Sequence, residues 1–255
     1  MKESENFVRE IKSKKRKLTE WIRRAVHKLT DILYPVKCPF CGQIVSCGIC
    51  PACRENVVYI QEPRCKKCGK PIRDYAKEYC FDCVGKQHVF EEGRSLWLHK
   101  EPVNQAIYAF KYKNRRIYGK IFGAELAENY GDYLKRRRVD LIVPIPLHKK
   151  RRRIRGYNQA EILAKELSVR TGIPMETSVL KRIRETRPQK KLDDKGRRQN
   201  IRGAFAAAGA VQGRRIVLID DIYTTGSTLD EASRMLCRAG AEKVYFLTIS
   251  IGQGM

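Results

Sequence analysis

The chain has 255 residues, of which 42% are hydrophobic, and a formal net charge of +25. This length and apolar content exclude a wholly disordered chain and allow one or two domains with a hydrophobic core. The charged N-terminus and the lack of a run of about 18 apolar residues predict a cytoplasmic protein with neither a secretory signal nor a transmembrane segment.

The basic residues are clustered, which favours a polyanionic partner over a merely solvated, lysine-rich surface. Such partners are nucleic acid, a phosphorylated ligand or anionic lipid, the last through a peripheral contact at the inner face of the membrane. The first predicted element is a basic amphipathic helix over residues 1–36, with apolar residues at helical spacing from Phe7 to Ile32. Packing on a neighbouring domain and binding of a partner, a membrane or nucleic acid are equally consistent with this pattern.

Residues 38–83 contain C-x-x-C pairs at 38/41, 50/53, 65/68 and 80/83. In a reducing compartment, spaced pairs hold metal more often than they form disulfides, and four thiolates complete a tetrahedral zinc site. The sequence therefore predicts two structural zinc ions, which must supply much of the stability of a segment so poor in large apolar residues. The predicted ligands are Cys38, Cys41, Cys50, Cys53, Cys65, Cys68, Cys80 and Cys83.

The pairing of the four cysteine pairs is not fixed by their spacing. Pairing of neighbours joins 38/41 with 50/53 and 65/68 with 80/83, and a cross-braced arrangement is the alternative. Cys47 is surplus and is also an alternative to Cys53 as the partner of Cys50. Four thiolates leave no open coordination position, so we expect a scaffold and not a catalytic metal.

Strand and helix patterns alternate from residue 90 onward. The predicted strands cover 94–98, 139–146, 214–221 and 243–250, and the predicted helices cover 101–114, 118–137, 157–172 and 227–240. Apolar strands separated by helices predict an α/β fold with a parallel sheet flanked by helices. Ligands of such sheets bind at the carboxyl ends of the strands.

The stretch IVLIDDIYTTGST, residues 216–228, is the strongest candidate site. Asp220 and Asp221 are expected at the carboxyl end of a buried strand, with both side chains turned toward one pocket. The following turn leads into a helix whose N-terminus, with the turn's amides and hydroxyls, would hold a phosphate, and Gly226 allows close backbone approach. Carboxylates beside a phosphate must bind something else, so the predicted ligand is a sugar phosphate. The chain lacks the G-x-x-x-x-G-K-[ST] motif of P-loop nucleotide-binding proteins.

This stretch resembles the phosphoribosyl-pyrophosphate motif of type I phosphoribosyltransferases. The resemblance implies that Asp220 and Asp221 hold the ribose hydroxyls of phosphoribosyl pyrophosphate. It also implies Mg²⁺, bound mostly by oxygens of that ligand and by water. The residues it assigns to the 5′-phosphate are Thr224, Thr225, Gly226, Ser227 and Thr228.

Three further features together are similar to the ComF family over residues 38 to about 250: VPIPLHKKRRRIRGYNQA (143–160), TRPQKKLDDKGRRQNIRGAF (186–205) and the four cysteine pairs. The resemblance implies a double zinc ribbon over 37–88 before a type I phosphoribosyltransferase-like domain over 89–255. It implies a role in DNA uptake during natural transformation, with single-stranded DNA and DNA-uptake or recombination proteins as partners. The family commonly has phenylalanine where Tyr157 stands, which is a mild difference.

The same resemblance assigns two more parts of the site. Pro146, Leu147 and His148 occupy the pyrophosphate loop, and residues 182–204 occupy a flexible hood loop rich in arginine and lysine. Mobile cations over a pyrophosphate would stabilise the leaving group, although a solvated loop and a nucleic-acid contact are equal alternatives. We do not expect His148 to be catalytic. The family motif near the site contributes Arg155, Gly156, Asn158 and Gln159.

Three functional hypotheses remain open at the level of sequence. The chain is a DNA-uptake factor with a working phosphoribosyl-pyrophosphate site, an active phosphoribosyltransferase of nucleotide salvage or biosynthesis, or a non-catalytic phosphoribosyl-pyrophosphate sensor. No sequence feature identifies an acceptor for transfer. The basic run 149–155, with 135–138, and the nearby aromatics Tyr112, Tyr118 and Tyr157 favour single-stranded DNA as a partner.

Overall fold

A computed structural model describes residues 35–186 and 194–252. The predicted N-terminal helix therefore lies outside the described residues except for its last two positions. The chain falls into two compact units, Met1–Pro51 and Ala52–Met255. In the described part of the first unit, Lys37 and Ile44 pair as an antiparallel bridge around a tight turn. The Cys38 amide donates to the carbonyl of Gln43 at 2.8 Å in this turn.

Helix α1 covers Pro51–Asn56. In the second unit, four strands form a parallel sheet in the order β1-β6-β5-β2. They cover Glu92–Leu98 (β1), Leu141–Pro144 (β2), Arg215–Tyr223 (β5) and Lys243–Ile251 (β6). A two-stranded antiparallel sheet joins Leu180–Arg182 (β3) and Phe205–Ala207 (β4). The remaining helices are Val103–Tyr112 (α2), Arg116–Arg136 (α3), Lys149–Arg155 (α4), Gln159–Thr171 (α5), Asp194–Ile201 (α6) and Ser227–Arg238 (α7).

The parallel sheet is buried on both faces, as its continuous apolar strands require. Residues Ile216 to Ile219 of β5 are all fully buried. Helices α3 and α5 pack together, and α5 contacts β2 and β5. On the other face, Ile216 and Leu218 belong to a hydrophobic cluster that also contains Leu229 and Leu236 of α7. The α/β architecture predicted from the sequence is confirmed.

The second pair of cysteine knuckles packs against the edge of this sheet, within the same unit. Cys65, Cys68, Cys80 and Cys83 belong to the hydrophobic cluster that contains Phe90, Tyr223 and Phe246. The Gly93 amide of β1 donates to the carbonyl of Lys67 at 2.8 Å. A Cβ on Gly69 would lie 2.5 Å from the Gly93 carbonyl oxygen, so the knuckle approaches the strand too closely for any other residue.

The structure differs from the sequence prediction in the basic segments. The basic run at 149–155, to which the sequence assigned no secondary structure, is the helix α4. The segment 182–204, expected as one flexible loop, contains the end of β3 and the helix α6, while its residues 187–193 lie outside the described residues. The two helices could not be recognised from the sequence, because basic and polar residues dominate both segments and neither has apolar residues at helical spacing. Within the described residues, no helix is both long enough and apolar enough to cross a membrane.

Candidate functional site

A cavity of about 480 Å³ opens at the carboxyl ends of β2 and β5. Strand β2 pairs with β5 only as far as Pro144 opposite Ile219. From Asp220 onward, β5 therefore has no β2 partner on that side and faces the cavity. Both Asp220 and Asp221 line it, as does the turn that leads into α7. Strand β5 continues to Tyr223, two residues beyond the predicted end, so the aspartates lie within the strand and not at its last two positions.

The two aspartates have different electrostatic surroundings. Lys111 of α2 forms an ion pair with Asp221, with Nζ 2.8 Å from Oδ1. Asp220 accepts a hydrogen bond from the Asp221 amide at 2.8 Å. Burial and the neighbouring Asp221 carboxylate nevertheless raise the pKa of Asp220 to about 7, against the opposing effects of Lys111 and Arg182. The cavity thus holds the Asp221 carboxylate, which is paired with Lys111, and the Asp220 carboxyl group, whose pKa lies near neutral pH.

We expect Asp220→Asn to stabilise the protein at pH 8 and to have little effect on stability near pH 4. The pKa of Asp220 is raised on folding, so the folded state retains a proton that the unfolded state loses, and this group's contribution to stability falls from about pH 4 to about pH 7. Because the cavity is open to solvent, we expect a gain on the order of 2 kcal/mol at pH 8. Urea unfolding of both proteins between pH 4 and 9 measures it, and a gain independent of pH would contradict the prediction.

The turn after β5 leads directly into the N-terminus of α7. Gly226 adopts φ +79° and precedes Ser227, the first residue of α7. The N-terminus of a helix carries unpaired amides that favour an anion. The hydroxyls of Thr225 and Ser227 lie 3.0 Å apart. Thr224, Gly226, Ser227 and Thr228 line the cavity, whereas Thr225 does not. The Tyr223 side chain packs closely against the turn. A Cβ at position 226 would lie 2.7 Å from the Tyr223 hydroxyl oxygen.

Arginines from two other elements add positive charge to the same cavity. Arg182 of β3 lies over the ring of Phe205 at 5.3 Å and donates to the Thr186 hydroxyl at 2.5 Å. Burial, with the nearby Arg151, lowers the pKa of Arg182 to about 10, so its guanidinium stays charged at neutral pH. Arg151 of α4 donates to the Thr186 carbonyl at 3.0 Å. Both line the cavity, so carboxylates and guanidinium groups face one space.

The RGYNQ motif at residues 155–159, which begins at the last residue of α4, positions the loop that follows β2. Asn158 caps α5 by accepting the Ala160 amide at 3.2 Å, and its own amide group donates to the Ile145 carbonyl at 3.0 Å. Gln159 accepts a hydrogen bond from Arg155 at 3.0 Å. Arg155, Asn158 and Gln159 line the cavity, while Gly156 ends α4 and does not. Asn158 therefore positions the loop and the helix relative to each other.

The structure brings most of the predicted site residues together, with some exceptions. In the predicted pyrophosphate loop, Leu147 lines the cavity, but Pro146 and His148 do not. Sequence reasoning missed Lys111 and Arg182 as cavity residues. Lys111 lies on α2, distant in sequence from every motif, so no local signal marked it. Arg182 is the first residue of the predicted hood segment 182–204, but nothing in the sequence distinguished it from the other basic residues there.

The eight predicted cysteine ligands form two clusters. One contains Cys38, Cys41, Cys50 and Cys53, and the other contains Cys65, Cys68, Cys80 and Cys83; within each, the four Sγ atoms lie within 4.8 Å of one another. The pairing of neighbours is therefore confirmed. Four thiols at this separation suit tetrahedral zinc, so these residues fit two structural zinc ions. Cys47 is exposed and belongs to neither cluster.

Comparison with known proteins identifies the family. A double zinc ribbon domain matches residues 29–84, and a phosphoribosyl transferase domain matches residues 124–250. Competence protein F of Haemophilus influenzae is 32% identical over 207 residues, which cover 79% of this chain and 89% of that protein. The chain belongs to the ComF family.

Other relatives agree with the ComF assignment. Competence protein ComFC of Bacillus subtilis is 27% identical over 198 residues, covering 75% of this chain and 79% of that protein. DNA utilization protein YhgH of Salmonella typhimurium is 29% identical over 203 residues, covering 77% and 87% respectively. The helix-flanked parallel sheet of this ComF protein resembles the type I phosphoribosyltransferase fold.

Among solved structures, the glutamine phosphoribosylpyrophosphate amidotransferase of B. subtilis is 25% identical, with a TM-score of 0.33 over 52% of this chain. The ComF chain spans 25% of that chain's length. The purine phosphoribosyltransferase of Pyrococcus horikoshii is 16% identical, with a TM-score of 0.34 over 51% of this chain and 73% of that one.

Proposed function

We propose that this ComF protein binds phosphoribosyl pyrophosphate in the cavity beside β5 and acts in the handling of DNA taken up by the cell. The observation that supports the binding site most directly is the shared cavity of Asp220, Asp221 and the turn at the N-terminus of α7. Carboxylates accept hydroxyl hydrogen bonds, and a helix N-terminus holds a phosphate, so the two groups together suit a phosphorylated sugar.

Each part of the ligand has a matching part of the site in this proposal. The ribose hydroxyls donate to Asp220 and Asp221, and the 5′-phosphate accepts from the turn at residues 224–228. The pyrophosphate lies toward Arg151 and Arg182, whose positive charges offset its negative charge. Mg²⁺ fits this arrangement as an ion bound through the pyrophosphate oxygens and water, where it would neutralise the charge of the pyrophosphate.

Calorimetric titration with phosphoribosyl pyrophosphate and Mg²⁺ tests the site. Asp220→Ala/Asp221→Ala should weaken binding by about 100-fold or more, because each lost hydrogen bond to a charged acceptor contributes about 1.5–3 kcal/mol. Asp132→Ala is the matched control, since the side chain of Asp132 is 82% exposed on α3. Failure of the zinc-loaded parent protein to bind, or equal binding by the double variant, would reject the proposal.

The role in DNA handling is supported by the relatives and by charge. Proteins named for competence and for DNA utilization match more than three quarters of this chain. The net charge of +25 suits a polyanionic partner. We propose single-stranded DNA as that partner, with proteins of DNA uptake or recombination, and a peripheral location at the inner face of the membrane.

A further inference from the structure

Two exposed tyrosines on α2 form an aromatic pair next to the cavity. Tyr108 and Tyr112 are 51% and 54% exposed, and their ring centroids lie 4.9 Å apart. Their spacing of four residues places both on one side of the helix. The two exposed rings, whose planes are inclined at 44° to each other, present an apolar aromatic surface to solvent.

The mouth of the cavity continues this surface. Arg155 of α4 lies over the ring of Tyr112 at 4.9 Å and donates to its hydroxyl at 3.1 Å. Ile154 is 85% exposed, although it is a large apolar residue within a run of basic ones. Tyr112, Ile154 and Arg155 all line the cavity. We call Tyr108, Tyr112, Ile154 and Arg155 the aromatic platform.

Positive charge surrounds the aromatic platform. Lys113 and Arg115 follow Tyr112 in the chain, and Arg153 lies on α4 beside Ile154; all three are exposed. Among the residues that the structure describes, none of these three forms an ion pair with a carboxylate. Flat apolar rings bordered by uncompensated cations match a partner that has stacking faces and a regular negative charge.

Two other aromatic residues predicted from the sequence to stack on bases are not available for this role. Tyr118 and Tyr157 are buried, and Tyr157 donates a hydrogen bond to the Phe110 carbonyl. The prediction was therefore wrong for these two, because they pack into the core between α2, α3 and α5. Of the three candidates, Tyr112 alone is exposed.

We infer that the aromatic platform stacks unpaired bases of single-stranded DNA at the mouth of the phosphoribosyl-pyrophosphate cavity, with Lys113, Arg115 and Arg153 against the phosphates. Stacking on these rings requires an exposed base face, which a duplex offers only at its ends. Since Tyr112 and Arg155 belong to both the platform and the cavity wall, the bound strand passes beside the sugar-phosphate site. This inference rests on the proposed role in DNA handling.

Fluorescence anisotropy with a labelled dT20 oligonucleotide tests the platform on the zinc-loaded full chain. Tyr108→Ala and Tyr112→Ala should each weaken binding about 5- to 50-fold, since stacking contributes about 1–3 kcal/mol per base. The dependence of affinity on salt should stay the same, because no phosphate contact is removed. Tyr108→Ala should keep its calorimetric affinity for phosphoribosyl pyrophosphate, since Tyr108 does not line the cavity.

Tyr75→Ala is the matched control, because Tyr75 is 83% exposed on the second zinc ribbon. Unchanged dT20 affinity in both platform variants, or a loss confined to Tyr75→Ala, would overturn the platform while leaving DNA binding intact. Equal affinity of the parent for dT20 and for a blunt duplex of the same length would overturn it too. Absence of any binding by the parent would reject the proposed DNA role together with the platform.

Discussion

Cys68→Ser is expected to remove the second zinc ion and to destabilise the whole unit Ala52–Met255, not the ribbon alone. Cys68 is fully buried, and its cluster belongs to the hydrophobic core that contains Tyr223 and Phe246. Structural zinc contributes about 10–16 kcal/mol in small finger peptides, which is comparable to the entire stability of a domain. We therefore expect a loss on the order of 5 kcal/mol, with weaker binding of phosphoribosyl pyrophosphate.

Zinc content by elemental analysis, urea unfolding and calorimetry measure these three effects. Cys47→Ser and Cys237→Ser are the controls, because both cysteines are exposed and lie outside the two clusters. The prediction fails if Cys68→Ser keeps full ligand affinity and unfolds at the same urea concentration as the parent. It also fails if Cys47→Ser has the same effect as Cys68→Ser.

Gly226→Ala is expected to lower stability by about 2–5 kcal/mol and to reduce phosphoribosyl-pyrophosphate affinity more than tenfold. The left-handed φ of +79° costs a non-glycine residue about 1–2 kcal/mol. The added Cβ would also lie 2.7 Å from the Tyr223 hydroxyl, and this ring cannot retreat because it stacks on Phe246 at 5.0 Å. Overpacking of this kind costs a further 1–3 kcal/mol, roughly. Urea unfolding and calorimetry measure both effects.

Gly213→Ala separates the two causes. Gly213 has a φ of +67°, and no atom lies within 4 Å of a Cβ placed there. This control should show only the conformational cost and should bind the ligand normally. Adding Tyr223→Phe to Gly226→Ala should recover part of the stability, because it removes the atom that the new Cβ meets. If Gly213→Ala loses as much stability as Gly226→Ala, close contact with Tyr223 is not the cause.

The sequence predicted the zinc ligands and the α/β order well because both depend on short-range patterns. C-x-x-C spacing places two thiolates at one metal, and apolar runs such as Ile216 to Ile219 mark buried strands. The aspartate pair and the phosphate turn are also contiguous in the chain, so one stretch of sequence predicted the place where the cavity lies. The structure adds the exact extent of β5 and the separation of Thr225 from the cavity wall.

Features that depend on distant residues were not predictable. Lys111 reaches Asp221 across 110 positions of sequence, and only the packing of α2 beside the sheet brings them together. Helix α4 consists almost entirely of basic residues, so its helical form has no amphipathic signature. The burial of Tyr118 and Tyr157 depends in the same way on how α2, α3 and α5 pack together, which composition does not reveal.

The contact between the cysteine knuckle at residues 65–69 and β1 limits where the chain can be cut into separately folding fragments. The two family matches are separated by residues 85–123, which looks like a natural place for a cut. Yet β1 lies in that interval, and Phe90 there packs edge-on against both Tyr223 and Phe246. A fragment beginning after residue 84 would expose these rings to water and lose the knuckle that covers them. The second cysteine cluster and the sheet must therefore be produced in the laboratory as one piece.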